Sequence, residues 1–431
     1  MDWAGVRDTL TYDIVIKNGT VIDPSQGLHA KRDIAIAGGR IAAVAEHLPD
    51  RDAHDVIEAH GLLVTPGLVD LHVHVWWGVA HLAIEADPSC LARGATTVVD
   101  AGSAGANTIA GFRRYVIEQV DTRVLAFLNI SGMGQLDNDI GELQDIRWAR
   151  TARAVEAARL HPDEVIGIKV RLTDAIAGEN DMVALERAID AAGQISKPVM
   201  VHIGRTVHPL ERLLPLLRPG DIVTHSFTGH PHGILDSNGR VIDAAREARA
   251  RGVVFDVGHG AGSFSFDVAE KALADGFPPG TVSSDVHRYN IRGPVFDLAT
   301  TLSKYLHMGL SLDEVVALGT ARPAAALGRS PLRPFDGAQG KQAQGERGRG
   351  PSTALGATTG AHWSDAVGTL RVGAEADVAV FELRDGPVTF TDALGKTRQG
   401  SRLLVPVVTL RAGRRHSPLH SAHPHLHGHA H

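Results

Sequence analysis

The stretch GLVDLHVHVWWG, residues 67–78, places two histidines one residue apart inside an apolar run. Alternate side chains of a β-strand point to the same face, so we expect His72 and His74 on one face. Two imidazoles on one face are either a hydrogen-bonded feature of the core or two ligands of one metal ion. This stretch alone leaves both interpretations open, so the rest of the chain has to decide between them.

The middle of the chain contains eight apolar segments of strand length, with helical patterns between most of them. In order they are LVDLHVHV, ATTVVDAG, RVLAFLNIS, VIGIKVRL, PVMVHIG, DIVTHSF, GVVFDVGHG and TVSSDVH. Near-continuous apolar strands that alternate with helices indicate a parallel sheet buried on both faces. Eight such units over roughly 260 residues predict an α/β fold, the closed (β/α)8 or TIM barrel. An open doubly wound sheet is the alternative, but the chain has no glycine-rich fingerprint to support it.

Both ends of the chain read as short strands and turns. YDIVIKNGTVIDP predicts two strands around an Asn-Gly turn, and RDIAIAGGRIAAVA predicts a hairpin at Gly38 and Gly39. Residues 366–413 have a similar pattern, so we predict that the two ends form one small β-sandwich domain. The predicted division is a β-sandwich of residues 1–65 and 366–415, a barrel of residues 66–329, a low-complexity insertion at 330–365 and a histidine-rich tail at 416–431.

The composition is that of an ordinary globular enzyme, with 43% hydrophobic and 21% charged residues. A formal net charge of -6 offers no concentrated basic face for nucleic acid. No apolar run is long enough to cross a membrane, and the first residues lack a signal-peptide pattern. Cys90 is the single cysteine, so no intramolecular disulfide can form, and we interpret it as a packing residue. We therefore expect a cytoplasmic protein that acts on a small molecule, and a homo-oligomer is compatible with the sequence.

Catalytic groups of such barrels sit at the carboxyl ends of the strands. The polar residues at these ends are His72 and His74 on the first strand, Lys169 on the fourth, His202 on the fifth, His225 on the sixth and Asp285 on the eighth. A lone strand histidine is more often a core residue, and Asp285 could cap a helix. A buried lysine, however, is rare unless it is paired. Imidazole and carboxylate are suitable ligands for Zn²⁺, so the combined set predicts a metal site.

This set, HxH followed by Lys, His, His and Asp on later strands, resembles the amidohydrolase superfamily. VTPGLVDLHVH before the barrel and GTLRVGAEADVAVFEL after it are similar to the flanks of that superfamily, so the resemblance covers nearly the whole chain. It implies two divalent metal ions, zinc by expectation, bridged by a CO2-derived carbamate on Lys169. It places His72, His74 and Asp285 on one metal, and His202 and His225 on the other. It also implies a metal-bridging hydroxide as nucleophile, with Asp285 as the catalytic proton acceptor.

A closer resemblance is to the dihydroorotase-like amidohydrolase/deacetylase group. THSFTGHPHGILD, DVGHGAGSFSF and GPVFDLATTLSKYLHMGLSLDEV are similar to segments of that group. The resemblance implies hydrolysis of an acyl bond, amide or ester, in a small carboxylate-bearing substrate such as an N-acyl-amino acid or an O-acetyl α-hydroxy acid. Dihydroorotases usually carry an arginine where this chain has Trp76, which we interpret as an apolar wall or as packing at the rim. A cyclic amidase of dihydroorotase or hydantoinase type is the alternative, and the six retained ligands disfavour a non-catalytic scaffold.

A substrate carboxylate requires a cation or hydrogen-bond donors near the metals. Arg171 lies two residues after Lys169, and His287 lies two residues after Asp285, so each is expected to share the face of its neighbour. His230 and His232 lie in the loop after the sixth strand, where substrate contacts are common. We predict these four residues as substrate-binding. A salt bridge at the rim for Arg171 and solvent exposure for the two loop histidines remain as alternatives.

Overall fold

The computed structural model describes residues 11–328 and 367–417, and the predicted insertion and the tail beyond Ser417 lie outside the described residues. The strands are β1 (Tyr12–Asp23), β2 (Leu28–Ala37), β3 (Arg40–Ala45), β4 (Ala53–Glu58), β5 (Leu63–Pro66), β6 (Leu68–Val73), β7 (Ala95–Gly105), β8 (Arg123–Asn129), β9 (Val165–Arg171), β10 (Val199–His202), β11 (Ile222–Thr224), β12 (Val254–Phe255), β13 (Val378–Thr391), β14 (Thr397–Arg411) and β15 (Arg414–His416). The α-helices are α1 (Ala86–Ser89), α2 (Ile109–Tyr115), α3 (Thr151–Leu160), α4 (Asp174–Ala177), α5 (Asp181–Gln194), α6 (Leu210–Leu213), α7 (Asp243–Ala250), α8 (Phe266–Ala274), α9 (Leu298–His307), α10 (Leu312–Gly319) and α11 (Ala321–Gly328).

Strands β6 to β12 form a curled parallel sheet in which each strand pairs with its neighbours along the chain. Residues 281–287, the predicted eighth strand, join its two edges. Thr281 forms a parallel bridge with Asp256, and Val286 forms one with Val73. The ladder there is short because Asp285 has a φ of 49°, in the left-handed region that interrupts a regular strand. The prediction of a TIM barrel is confirmed.

The amino-terminal end of the barrel is closed by apolar packing. Leu71, Val99 and Phe127, from β6, β7 and β8, form a buried cluster with Ala324 of α11. These side chains fill the barrel interior at this end, and the cavity that contains the six predicted ligands lies at the carboxyl ends of the strands. That is the end at which the sequence places the polar residues.

The two chain ends share a second, eight-stranded sheet, in the order β15-β14-β13-β5-β1-β2-β3, with β4 also paired to β1. Its buried cluster draws on both ends of the chain, for example Ile16 and Ile34 with Val380 and Val408. The hairpin predicted at Gly38 and Gly39 is confirmed, since β2 and β3 pair antiparallel across them.

The prediction of two strands around an Asn-Gly turn at Asn18 is wrong. β1 runs through this point as one strand, with a change of register between Ile16 and Gly19. Asn18 has a φ of 61°, and its backbone N–H donates to Asp33 Oδ1 at 2.8 Å. Asparagine tolerates this left-handed conformation, and here it produces a bulge inside β1 instead of a chain reversal.

The tip of the β13–β14 hairpin reaches from the end sheet to the barrel. Ala393 N–H donates to the carbonyl of Phe264 at 3.0 Å, and Asp392 accepts a hydrogen bond from the N–H of Phe266 at 3.0 Å. The buried Lys304 of α9 donates to the carbonyl of Thr391 at 2.7 Å. These contacts attach the end sheet to the loop that follows β12. Within residues 11–328 and 367–417, no helix has the length and apolar character needed to cross a membrane.

Candidate active site

A cavity of about 170 Å³ opens at the carboxyl end of the barrel. All six predicted metal ligands line it, together with Arg171 and His287. The full lining consists of His72, His74, His81, Leu82, Gln135, Asn138, Lys169, Arg171, His202, His225, Asp285, His287 and Tyr289. The structure therefore brings together side chains that lie far apart in the sequence.

Asp285 lies between the two histidines of the first strand. Its Oδ1 is 3.4 Å from His72 Nε2 and 3.2 Å from His74 Nε2. This oxygen is buried and has no hydrogen-bond partner among the described residues. One ligand atom each from His72, His225 and Asp285 lie within 4.8 Å of one another. An unpartnered carboxylate oxygen facing imidazole nitrogens fits the donor set of a divalent metal ion.

The outward-facing nitrogens of these histidines are held by neighbours. His72 Nδ1 is 2.9 Å from Thr224 Oγ1, and His74 Nδ1 is 2.9 Å from Ser103 Oγ. His225 Nδ1 is 2.6 Å from the carbonyl of Gly258, which only accepts, so Nδ1 of His225 carries the proton. The Nε2 lone pair of His225 then faces His202 and the donor cluster, the usual arrangement of metal-binding histidines.

His202 and His225 form the second half of the donor set. His202 Nδ1 is 2.9 Å from His225 Nε2, and the two rings lie 4.1 Å apart. The two nitrogens therefore converge on one point. His225 and Asp285 both have positive φ, 66° and 49°, a strained conformation that is common at functional sites.

Burial keeps the imidazoles neutral. It lowers the pKa of His74 to about 3 and that of His225 to about 4. Burial also lowers the pKa of His72 and His202 well below the usual value, with nearby charges adding to the effect. Neutral imidazole is the form that offers a lone pair to a metal ion.

Lys169 is fully buried at the centre of the cluster, with Nζ 3.5 Å from His72 Nε2. Burial lowers the pKa of Lys169 to about 7, so a large fraction is the neutral, nucleophilic amine at neutral pH. Gly102 provides room for this side chain, since a Cβ there would lie 2.6 Å from Lys169 Cγ.

Arg171 and His287 lie where the alternation of their strand segments predicts. The guanidinium of Arg171 is hydrogen-bonded to the buried carboxylate of Glu142, whose other oxygen accepts from Asn129 Nδ2 at 2.6 Å. His287 Nδ1 accepts from the N–H of Tyr289 at 3.3 Å, which leaves the proton on Nε2. Burial lowers the pKa of His287 to about 4, so it is a neutral donor.

The two loop histidines and Trp76 do not line the cavity. His232 is exposed and binds the carbonyl of Thr206 through Nδ1 at 2.6 Å, and His230 is partly buried. Trp76 is buried, with its ring 5.5 Å from that of Phe112. Trp76 therefore packs at the rim of the barrel, which is the second of its two predicted roles.

Sequence reasoning missed several lining residues, namely His81, Leu82, Gln135, Asn138 and Tyr289. They come from loops after β6, after β8 and after Asp285. Loop side chains follow no period of 2 or 3.6, so the sequence carries no signal for their direction. The same is true of Glu142, which holds Arg171.

Gly260 sets the position of Asp285 from the neighbouring loop. A Cβ at Gly260 would collide with Asp285 Oδ2, and Gly260 has a φ of 59°. We expect Gly260→Ala to displace the carboxylate and to lower kcat by about 10²-fold, because small misplacements of reacting groups have effects of that order. Steady-state kinetics at saturating metal measure this effect.

Gly276→Ala is the matched control for Gly260→Ala. Gly276 also has a positive φ, 72°, but no atom lies within 4 Å of its expected Cβ. Both variants carry the backbone strain of a left-handed alanine, about 1–2 kcal/mol, but only Gly260→Ala touches Asp285. Equal kcat values for the two variants would show that the contact with Asp285 has no catalytic importance.

A closed barrel with imidazole, lysine and carboxylate donors at its carboxyl end defines a metal-dependent hydrolase of the amidohydrolase type. Comparisons with known proteins agree. The chain is 34% identical over 376 residues to a protein named Deacetylase Atu3266 from Agrobacterium fabrum, covering 87% of this chain and 84% of the relative. No protein-family model matches the chain.

Two solved structures are similar over nearly the whole chain. One is a crystal structure of an adenine deaminase, with a TM-score of 0.80, 32% identity and coverage of 94% of this chain and 100% of the other. The second is a crystal structure of a dihydroorotase, with a TM-score of 0.79, 30% identity and coverage of 94% and 99%. The chain belongs to the amidohydrolase superfamily, in its dihydroorotase-like amidohydrolase/deacetylase group. The names of these three relatives differ in reaction, so the substrate has to be argued from the site.

Proposed function

We propose that this enzyme hydrolyses the acyl bond, amide or ester, of a small carboxylate-bearing substrate such as an N-acyl-amino acid or an O-acetyl α-hydroxy acid. The observation that carries the proposal is Arg171 in the wall of the cavity. Apart from Lys169, it is the only lysine or arginine among the described residues that line the cavity. The cavity of about 170 Å³ supports a small-molecule substrate.

The donor geometry supports a pair of metal ions, which we propose to be zinc. His72, His74 and Asp285 would hold one ion, and His202 and His225 the other. Lys169 would bridge them as a carbamate, in which the neutral amine bonds to the carbon of CO2 and loses a proton. The conversion turns a group that repels cations into an anionic ligand. When bound, such ions supply a nucleophilic water at neutral pH and polarise the carbonyl under attack.

The remaining steps belong to side chains of this chain. Asp285 takes the proton of the attacking water and passes it to the nitrogen or oxygen of the leaving group as the acyl bond breaks. Its Oδ1 faces the donor cluster, which is the position this transfer requires. His287 can donate its Nε2 proton to a substrate oxygen, since its Nδ1 already accepts from Tyr289. The guanidinium of Arg171, held by Glu142, binds the carboxylate of the substrate.

The first test of this proposal is a screen of N-acyl-amino acids, O-acyl α-hydroxy acids and cyclic amides on zinc-loaded protein. We expect turnover of the acylated acids. Turnover of cyclic amides alone would favour a cyclic amidase of dihydroorotase type. That second candidate is motivated by the similarity to the dihydroorotase structure.

Arg171→Met tests the role of the carboxylate directly. A charge-assisted hydrogen bond contributes about 1.5–3 kcal/mol, so we expect KM to rise roughly ten- to more than a hundredfold for an acylated acid. The methyl amide of the same substrate should be nearly unaffected, because it has no carboxylate to bind. Steady-state kinetics on the two substrates measure the difference.

Arg205→Met is a control for loss of an arginine near the same end of the barrel. Arg205 has a side-chain exposure of 55%, pairs with Asp174 and does not line the cavity. We expect it to leave KM unchanged for both substrates. Equal losses on the acid and its amide in Arg171→Met would assign Arg171 to structural support and would contradict the carboxylate clamp.

A further inference from the structure

Thr224, the last residue of β11, lies directly behind the imidazole of His72. Its Oγ1 is 2.9 Å from His72 Nδ1 and 2.8 Å from Asp256 Oδ2. All three side chains are buried, and they come from three different segments of the barrel. Thr224 also precedes the ligand His225, so its backbone leads to one side of the metal centre while its hydroxyl contacts the other.

The direction of these hydrogen bonds follows from the chemistry of the groups. The carboxylate of Asp256 only accepts, so Thr224 donates its single hydroxyl proton to Asp256. Thr224 Oγ1 must then accept from His72, which requires a proton on Nδ1 of His72. The lone pair of His72 is therefore on Nε2, the nitrogen that faces Asp285 and Lys169.

Asp256 is held by hydroxyl groups on each of its oxygens. Thr281 Oγ1 donates to Oδ1 at 2.7 Å, and Ser283 Oγ donates to Oδ2 at 2.6 Å. Ser283 therefore holds the same oxygen that accepts from Thr224, and this oxygen keeps its position when the Thr281 hydroxyl on the other oxygen is removed. The proton of His225 instead goes to a backbone carbonyl, which a side-chain substitution does not remove.

We propose that Thr224 and Asp256 form a chain of hydrogen bonds behind His72, here called the relay. The relay keeps the proton of His72 on Nδ1 and thereby sets how tightly the metal ion held by His72 is bound. The relay rests on the metal centre proposed above and not on the identity of the substrate. Thr224 and Asp256 are positioning residues, since neither lines the cavity. Outer-shell partners of this kind change metal affinity by about 10–100-fold when removed.

The decisive variant is Thr224→Val, which keeps the size of the side chain and removes the hydroxyl. We expect the binding of one of two zinc ions to weaken by about 10–100-fold, measured by competition with a chromophoric chelator. Thr224→Ser keeps the hydroxyl, so its zinc affinity should stay within about threefold of the wild type. Thermal unfolding of the metal-free proteins shows whether each variant folds.

Thr281→Val is the matched control. It removes an equally buried hydroxyl that binds the other oxygen of Asp256 but contacts no proposed ligand. We expect its zinc affinity to be unchanged. An unchanged affinity in Thr224→Val, or an equal loss in Thr281→Val, would overturn the relay.

Asp256→Leu decides the question if Thr224→Val does not fold. Leucine has a similar size but accepts no hydrogen bond, so the Thr224 hydroxyl is free to donate to His72 instead, and we expect the same loss of zinc affinity. Unchanged affinity in this variant would also overturn the relay. A wild-type protein that binds no zinc would overturn the metal centre and the relay together. Inactivity on acylated acids would contradict only the proposed substrate.

Discussion

Asp285→Asn is expected to lower kcat by about 10²–10⁴-fold on every substrate, reactive esters included, which is the usual range for loss of a general acid–base group. Asparagine keeps the shape of the side chain but cannot take up the proton of the attacking water. The unpartnered Oδ1, 3.2 Å from His74 Nε2, is the structural reason for assigning this role to Asp285. Steady-state kinetics on an amide and on an activated ester measure the effect.

One further measurement and one control variant accompany Asp285→Asn. Metal content is determined on the same preparation, because Asp285 is also a proposed ligand and a loss of metal would act in the same direction. Asp174→Asn serves as the control, since Asp174 is 44% exposed in its side chain and pairs with Arg205 outside the cavity. An Asp285→Asn enzyme that retains wild-type kcat on the ester would contradict both assigned roles.

Lys169→Ala is expected to lose at least one of the two proposed metal ions and to lower kcat by about 10²-fold or more, comparable to the loss of a main electrostatic stabiliser. The reason is that Lys169 is the proposed bridge, with Nζ 3.5 Å from His72 Nε2. Short-chain carboxylic acids are expected to restore part of the activity by occupying the vacated space. Elemental analysis and kinetics with and without such acids measure these effects.

Lys304 provides the matched control for Lys169. It is also nearly fully buried, and burial lowers its pKa to about 7. Its Nζ contacts His259 Nε2 at 2.6 Å and binds the carbonyls of Pro294 and Thr391, but it does not line the cavity. Lys304→Met is expected to lower stability and to keep both metal ions. A Lys169→Ala protein with two metal ions and full activity would rule out the carbamate bridge.

The barrel and its donor set could be predicted because they leave strong local signals. An ionisable side chain inside an apolar strand is a clear exception to the pattern around it, and such exceptions are His72, His202 and Lys169. Their direction follows from strand alternation, which the structure keeps up to the strand ends. The Asn18 prediction failed because an Asn-Gly pair allows either a turn or a bulge, and the pairing of β1 with β4, β5 and β2 selects the bulge.

Alternation stops being informative where a strand ends. β6 ends at Val73, so Trp76 turns away from the cavity and packs on Phe112. Thr224 and Ser103 could not be singled out, because hydroxyl residues are common in strands and only three-dimensional proximity reveals their histidine partners. Glu142 could not be paired with Arg171 for the same reason, since Glu142 lies in the loop after β8, whose course has no periodic signal in the sequence.

The strand segment that contains Asp285 closes the barrel and therefore links metal binding to the stability of the folded protein. Asp285 N–H donates to the carbonyl of His72 at 2.7 Å, so the seam where the last strand meets the first runs through the donor set itself. A metal ion bound by His72, His74 and Asp285 would cross-link the first and last strands of the barrel. Metal binding and closure of the barrel would then be thermodynamically coupled, and the metal concentration in the cell would set the stability of the folded protein.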